Sequence, residues 1–140
     1  MRVYLDTSLL VSALTNEARS AEVLSWLARL DDALLISGWT LTEFASALAL
    51  KRRARTITDA EWRASTDALV LLAENDFEHV NILAVDFSRA AALAGRSDVN
   101  LRGGDALHLA NAERNDATLC TLDKGQATAG AALNIKVQLL

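Results

Sequence analysis

Asp6, Glu43, Asp105 and Asp123 are the residues of this chain whose types and spacing can do chemistry. Asp6 closes the apolar run Val3-Tyr4-Leu5, and Asp123 closes Thr118 to Leu122. Both runs read as buried strands. Glu43 falls in the first turn of the helix expected after a further strand-like run, Ala33-Leu34-Leu35-Ile36. Asp105 falls in the first turn of a helix behind the turn Leu101-Arg102-Gly103-Gly104. Ligands of an open α/β sheet bind outside the carboxyl ends of its strands, so two strand ends and two helix starts can meet at one place. Carboxylates brought into one cleft repel one another by about 4 kcal/mol per close pair at the effective dielectric usual for proteins. A divalent cation relieves that repulsion, and an oxygen-only ligand set points to Mg²⁺ or Mn²⁺. Such a site can bind a phosphodiester, activate a water and stabilise charge on a leaving oxygen.

Each acid also has an ordinary role. Asp6 and Asp123 suit turns or caps. Glu43 stands three residues after Thr40, the spacing of a capping box. Asp105 answers the helix macrodipole. It is the joint placement of the acids that favours a metal site over these separate roles. Thr7, Ser8 and Thr121 are hydroxyls beside the acids that can hold metal-bound waters, although packing and capping are their ordinary work. Arg102 and the run Lys51, Arg52, Arg53 and Arg55 are candidates for phosphate contact. That run otherwise reads as a solvated helix C-terminus. His108, three residues after Asp105, reads as a structural histidine, with proton carriage as the alternative. Trp26, Trp39 and Trp62 are either core residues or contacts for a partner.

The elements that must position these groups follow from periodicity. After the first strand comes a short helix through Leu14, capped by Thr7 or Ser8. A helix spans Ser20 to Leu30, and another runs from Thr40 to about Arg53. Thr58 and Glu61 open the next by capping-box spacing. Val80, Ile82 and Leu83 suggest a weak strand, Asp86 to Gly95 a helix, Asp105 to Ala112 a helix, Gln126 to Ala132 a last helix and Ile135 to Leu139 a final strand. Strands alternating with amphipathic helices imply an α/β fold, a three-layer sandwich whose mostly parallel central sheet is flanked by helices.

With 140 residues, 51% of them hydrophobic, the chain suits a single domain, residues 1–140, with a real core. The net charge of -4 argues against a general nucleic-acid binder. The single cysteine, Cys120, excludes an internal disulfide and a zinc cluster and reads as a buried thiol. No apolar run is long enough for a membrane span, and no signal-peptide pattern opens the chain, so a cytoplasmic protein is expected.

The stretches Val-Tyr-Leu-Asp6-Thr-Ser, Trp-Thr-Leu-Thr-Glu43-Phe, Leu-Arg102-Gly-Gly-Asp105-Ala-Leu-His-Leu-Ala and Thr-Leu-Asp123, in that order, resemble those of PIN-domain ribonucleases, and among them the VapC toxins of type II toxin–antitoxin modules. The resemblance implies a PIN-like fold and an acidic pocket of Asp6, Glu43, Asp105 and Asp123, with Asp6 and Asp105 the foremost metal ligands. It implies Mg²⁺- or Mn²⁺-dependent cleavage of RNA, commonly tRNA or rRNA, that stops translation. It also implies a homodimer and a VapB-like antitoxin that covers the active site, with DNA contacted only through the antitoxin. The rival reading is a non-catalytic, toxin-like partner-binding module in an autorepressor complex. A response-regulator-like phosphoacceptor needs paired acids and a late lysine on a strand end, neither of which is well placed here, and the phosphatase pattern Asp-x-Asp fails at Ser8.

Overall fold

The first strand along the chain, Arg2–Leu5 (β1), sits at the middle of the sheet. A computed structural model describes residues 1–140. Its strands are β1, Ala33–Ser37 (β2), Phe77–Val80 (β3), Thr118–Thr121 (β4) and Val137–Leu139 (β5). They make a five-stranded sheet in the order β3-β2-β1-β4-β5, parallel at every pairing. The helices are Thr7–Leu14 (α1), Ser20–Leu27 (α2), Gly38–Arg53 (α3), Asp59–Asn75 (α4), Ala84–Ala94 (α5), Gly103–Arg114 (α6) and Lys124–Ala132 (α7).

Side chains alternate across a strand, and β1 divides accordingly. Tyr4 enters one apolar cluster with Leu35, Leu119 and residues of α5, α6 and α7, whereas Val3 and Leu5 enter the other with Ile36, Cys120 and residues of α1 to α4. The expected three-layer α/β sandwich is therefore present, with a sheet that is wholly parallel. Burial, and then the charge of Asp32, pushes the Cys120 thiol up to about 12, so it is a core residue. Trp26, Trp39 and Trp62 are partly buried and pack against the two clusters, and Trp62 also lines a surface cleft.

The chain lays β1, β2 and β3 outward on one side, then crosses back to place β4 on the other side of β1. The reversal between β1 and β4 is the kind of place where such sheets open a crevice. Asp6 and Asp123 are the residues that follow these two strands, and they cap α1 and α7.

Several boundaries differ from those expected. The cap of α1 is Asp6, not Thr7 or Ser8: its carboxylate accepts the Ser8 N–H. The capping box of α3 is made by Ser37 and Thr40, not by Thr40 and Glu43. The third strand is Phe77–Val80 rather than Val80 to Leu83, because the register Leu34↔Phe77 to Ser37↔Val80 selects the less apolar segment for the sheet edge. Leu83 instead precedes α5 and takes the Asp86 carboxylate on its N–H at 2.8 Å. No helix is long and apolar enough to cross a membrane.

Candidate active site

Asp6 is 5% exposed, so its carboxylate needs donors. It finds them on its own turn and on the neighbouring strand. Oδ2 accepts from the Ser8 N–H at 3.0 Å, the Ser8 hydroxyl, and the Thr121 hydroxyl at 3.0 Å; Oδ1 accepts from the Gln126 amide at 3.3 Å. The same hydroxyls tie the two strand ends together. Ser8 Oγ accepts the Leu122 N–H at 3.0 Å, and Thr121 Oγ1 accepts the Asp123 N–H at 2.9 Å. Asp123 is exposed, and its Oδ1 accepts the Gln126 N–H at 2.9 Å.

Freed from the capping role, Glu43 sits in the second turn of α3 and is half-buried. Its Oε2 accepts from the Thr7 hydroxyl at 2.9 Å and lies 2.6 Å from His108 Nε2. His108, fully buried on α6, also stands 3.7 Å from Asp6 Oδ1. Asp105 comes from the first turn of α6, behind Arg102, which is exposed. Burial raises its carboxyl, and the charges of Asp6, Asp123 and Glu43 raise it further, against a smaller opposing influence from His108, so that it is pushed up to about 6. That shift is an electrostatic record of convergence: one carboxyl feels the three others.

The structure thus places Asp6, Glu43 and Asp123 where their charges act on Asp105, and it seats Thr7 as a donor to Glu43 and Ser8 and Thr121 as donors to Asp6. The basic run is elsewhere. Lys51 lies two turns beyond Glu43 on α3, about 12 Å along the helix axis, and it pairs with Glu17 at 2.5 Å. Arg52 pairs with Asp59 at 2.6 Å and lies over the Trp62 ring at 4.8 Å. Two residues next to the acids escaped the sequence reading. Gln126 was only the start of a helix by periodicity, yet its backbone serves Asp123 and its side chain serves Asp6. Tyr4 was only an apolar strand residue, yet its hydroxyl lies 3.1 Å from His108 Nδ1.

No three His, Cys, Asp or Glu side chains stand close enough together here to enclose an ion. The donor chemistry nevertheless suits a hard divalent cation: carboxylate oxygens with hydroxyls between them, no thiolate in reach, and an excess of negative charge that raises the Asp105 carboxyl. The buried amide oxygen of Gln126 has no protein partner and adds a further oxygen beside Asp6.

A family profile described as PIN domain matches residues 3–131. Among solved structures, the chain is similar to the Mycobacterium tuberculosis toxin VapC20, which cleaves the sarcin–ricin loop, at 18% identity, over 91% of this chain and 95% of that one, with a TM-score of 0.74. It is similar to VapBC-1 from nontypeable Haemophilus influenzae at 16% identity, over 99% and 98% of the two chains, with a TM-score of 0.70. It is similar at 17% identity, over 99% and 98%, to VapBC2 from Rickettsia felis, bound to a DNA fragment from its promoter, with a TM-score of 0.69. Comparison with curated proteins gives no match.

Proposed function

This chain belongs to the PIN-domain family, and from that premise we propose that it is the toxin of a VapBC-type toxin–antitoxin pair, an endoribonuclease that cleaves RNA and stops translation. The observation that carries the reading is the gathering of acids at the sheet's reversal point: Asp6 and Glu43 lie 3.7 and 2.6 Å from the same His108 nitrogen, and their charges, with that of Asp123, add to burial in raising the Asp105 carboxyl. A module made only to bind a partner has no use for four acids that repel one another. A catalyst for phosphodiester cleavage does.

Asp6 and Asp105, with Glu43 and Asp123, are the residues that would hold Mg²⁺ or Mn²⁺. A bound divalent ion supplies an acidified water and charge stabilisation at the phosphate. The protein's own part is placement. Ser8 and Thr121 occupy one oxygen of Asp6, and the other has only the long Gln126 hydrogen bond at 3.3 Å, with His108 Nε2 at 3.7 Å. Thr7 and His108 occupy one oxygen of Glu43 in the same way. The reaction is hydrolysis: water attacks phosphorus in line, and the 3′-oxygen leaves. Arg102, exposed immediately before α6 and three residues before Asp105, is a cation that can meet a substrate phosphate. The substrate is a structured RNA of the translation machinery, tRNA or rRNA.

The partners are a VapB-like antitoxin and a second copy of the chain, with promoter DNA reached through the antitoxin. An apolar cleft of about 710 Å³ between α3 and α4, lined by Leu41, Phe44, Trp62, Leu69 and Val70 with Arg52 and Arg53 at its rim, suits an amphipathic antitoxin segment with acidic flanks.

Induced expression of the wild-type chain is expected to arrest growth and to leave RNA with new 5′ ends at defined sites. Asp6→Asn and Asp105→Asn are expected to abolish both while leaving the fold intact, a loss of about 10³-fold or more in cleavage. EDTA is expected to stop cleavage by the purified chain. Full toxicity from either variant, or cleavage that survives chelation, contradicts the reading.

A further inference from the structure

We infer that His108 is a positioning residue for Glu43, set in place by Tyr4 and Ser37; this rests on the nuclease reading above. Both nitrogens of this fully buried ring are engaged, Nδ1 with Tyr4 Oη at 3.1 Å and Nε2 with Glu43 Oε2 at 2.6 Å. The Tyr4 ring meets the imidazole edge-on, with centroids 5.6 Å apart and planes at 64°.

Ser37 Oγ caps α3 and accepts the N–H groups of Trp39 at 3.2 Å and Thr40 at 3.4 Å. Its own hydrogen is free to go to Tyr4 Oη, 2.6 Å away. Tyr4 Oη, which also lies 3.3 Å from Thr40 Oγ1, engages Nδ1, and Nε2 faces the Glu43 carboxylate as its donor. Thr7 donates to the same oxygen, Oε2, at 2.9 Å.

The consequence lies at the other oxygen. With Oε2 held by two donors, Oε1 is the free one, and it lies against the start of α6: a Cβ at Gly104 would stand 2.9 Å from it. The missing side chain at Gly104 makes room for Oε1 one residue before Asp105. The chain Ser37–Tyr4–His108–Glu43 therefore fixes a flexible glutamate so that one chosen oxygen faces the helix that carries Asp105. Partners of this kind orient ligands, and their loss typically costs 10–100-fold in affinity or activity.

The test uses the purified full chain, an RNA substrate, and Mn²⁺ alone as the binding probe. His108→Asn places an amide near the Nδ1 position and leaves Glu43 without its donor. His108→Gln places an amide nitrogen near the Nε2 position and restores it. His108→Asn is expected to lower kcat and Mn²⁺ affinity about 10–100-fold, with KM for RNA changed by no more than about twofold; His108→Gln is expected to recover most of both. Tyr4→Phe, which keeps the ring, is expected to give a smaller loss in kcat at unchanged KM. Wild-type values from His108→Asn overturn the inference. So does an equal loss from His108→Gln, which marks a packing role. Should His108→Asn fail to fold, as a thermal melt would reveal, Tyr4→Phe and Thr7→Val decide, and unchanged kcat and Mn²⁺ affinity in both overturn it. A wild-type chain that does not cleave RNA, or an Asp6→Asn variant that cleaves as fast, breaks the nuclease reading instead. The Mn²⁺ affinities of the His108 variants then still decide the positioning role. Absence of any Mn²⁺ binding by the wild type overturns both.

Discussion

Two carboxylates on opposite margins of the α6 layer meet burial with opposite outcomes. Asp86, on α5, is 1% exposed. Burial alone would raise its carboxyl, but the Arg114 guanidinium at 2.6 and 3.0 Å, the Leu83 N–H at 2.8 Å and the Asn111 amide at 3.0 Å more than offset that, and it ends below the usual carboxylate range. Asp105, on α6, is raised by burial and then raised again by Asp6, Asp123 and Glu43. The protein satisfies the first acid itself and surrounds the second with like charge. A carboxylate completed by the fold is structural. One that the fold makes worse is, on the function proposed above, a site for a cation.

Removing the compensation at Asp86 is expected to give the largest effect. Arg114→Met leaves a buried carboxylate unpaired, and stability is expected to fall by about 3–4 kcal/mol, measured by urea unfolding at neutral pH. The sign with pH follows from the lowered carboxyl. Its contribution is present above the ordinary carboxylate range and is lost as pH falls through the folded value, so wild type and variant converge in acid.

The opposite sign holds at the acidic pocket. The raised carboxyl of Asp105 makes the folded chain bind more protons than the unfolded chain between about pH 4 and 6, so stability falls as pH rises through that window. Asp105→Asn in EDTA is therefore expected to be more stable than wild type by about 1–2 kcal/mol above pH 6, after allowance for partial exposure. The gain should vanish below about pH 4. Urea unfolding across pH 4 to 8 measures both. A loss of stability at neutral pH would place Asp105 in the same class as Asp86.

Much of this contrast is legible in the chain before any coordinates. Asp6 and Asp123 follow apolar strand runs, and Asp105 follows a glycine turn, so their gathering at one sheet edge follows from the parallel order of the strands. Glu43 was placed near the right edge for an imperfect reason. Thr40 and Glu43 have capping-box spacing, but so do Ser37 and Thr40, and the latter pair lies at the true strand end. The third strand was misplaced because the more apolar segment, Val80 to Leu83, was preferred over Phe77–Val80, an edge strand whose pairing needs only one covered flank. What periodicity does not reveal is polar contact across layers. Tyr4 and His108 lie 104 residues apart, and Gln126 and Asp6 lie 120 apart. Their pairing depends on how α6 and α7 are seated on the sheet.

The most direct measurement is Mn²⁺ binding to the apo chain, followed by the electron paramagnetic resonance signal of the free ion. Saturable binding is expected for the wild type and for Arg114→Met where it folds, with affinity reduced at least about tenfold in Asp6→Asn and in Asp105→Asn. Equal binding by all four proteins, or none by the wild type at millimolar Mn²⁺, would contradict the claim that these acids await a cation.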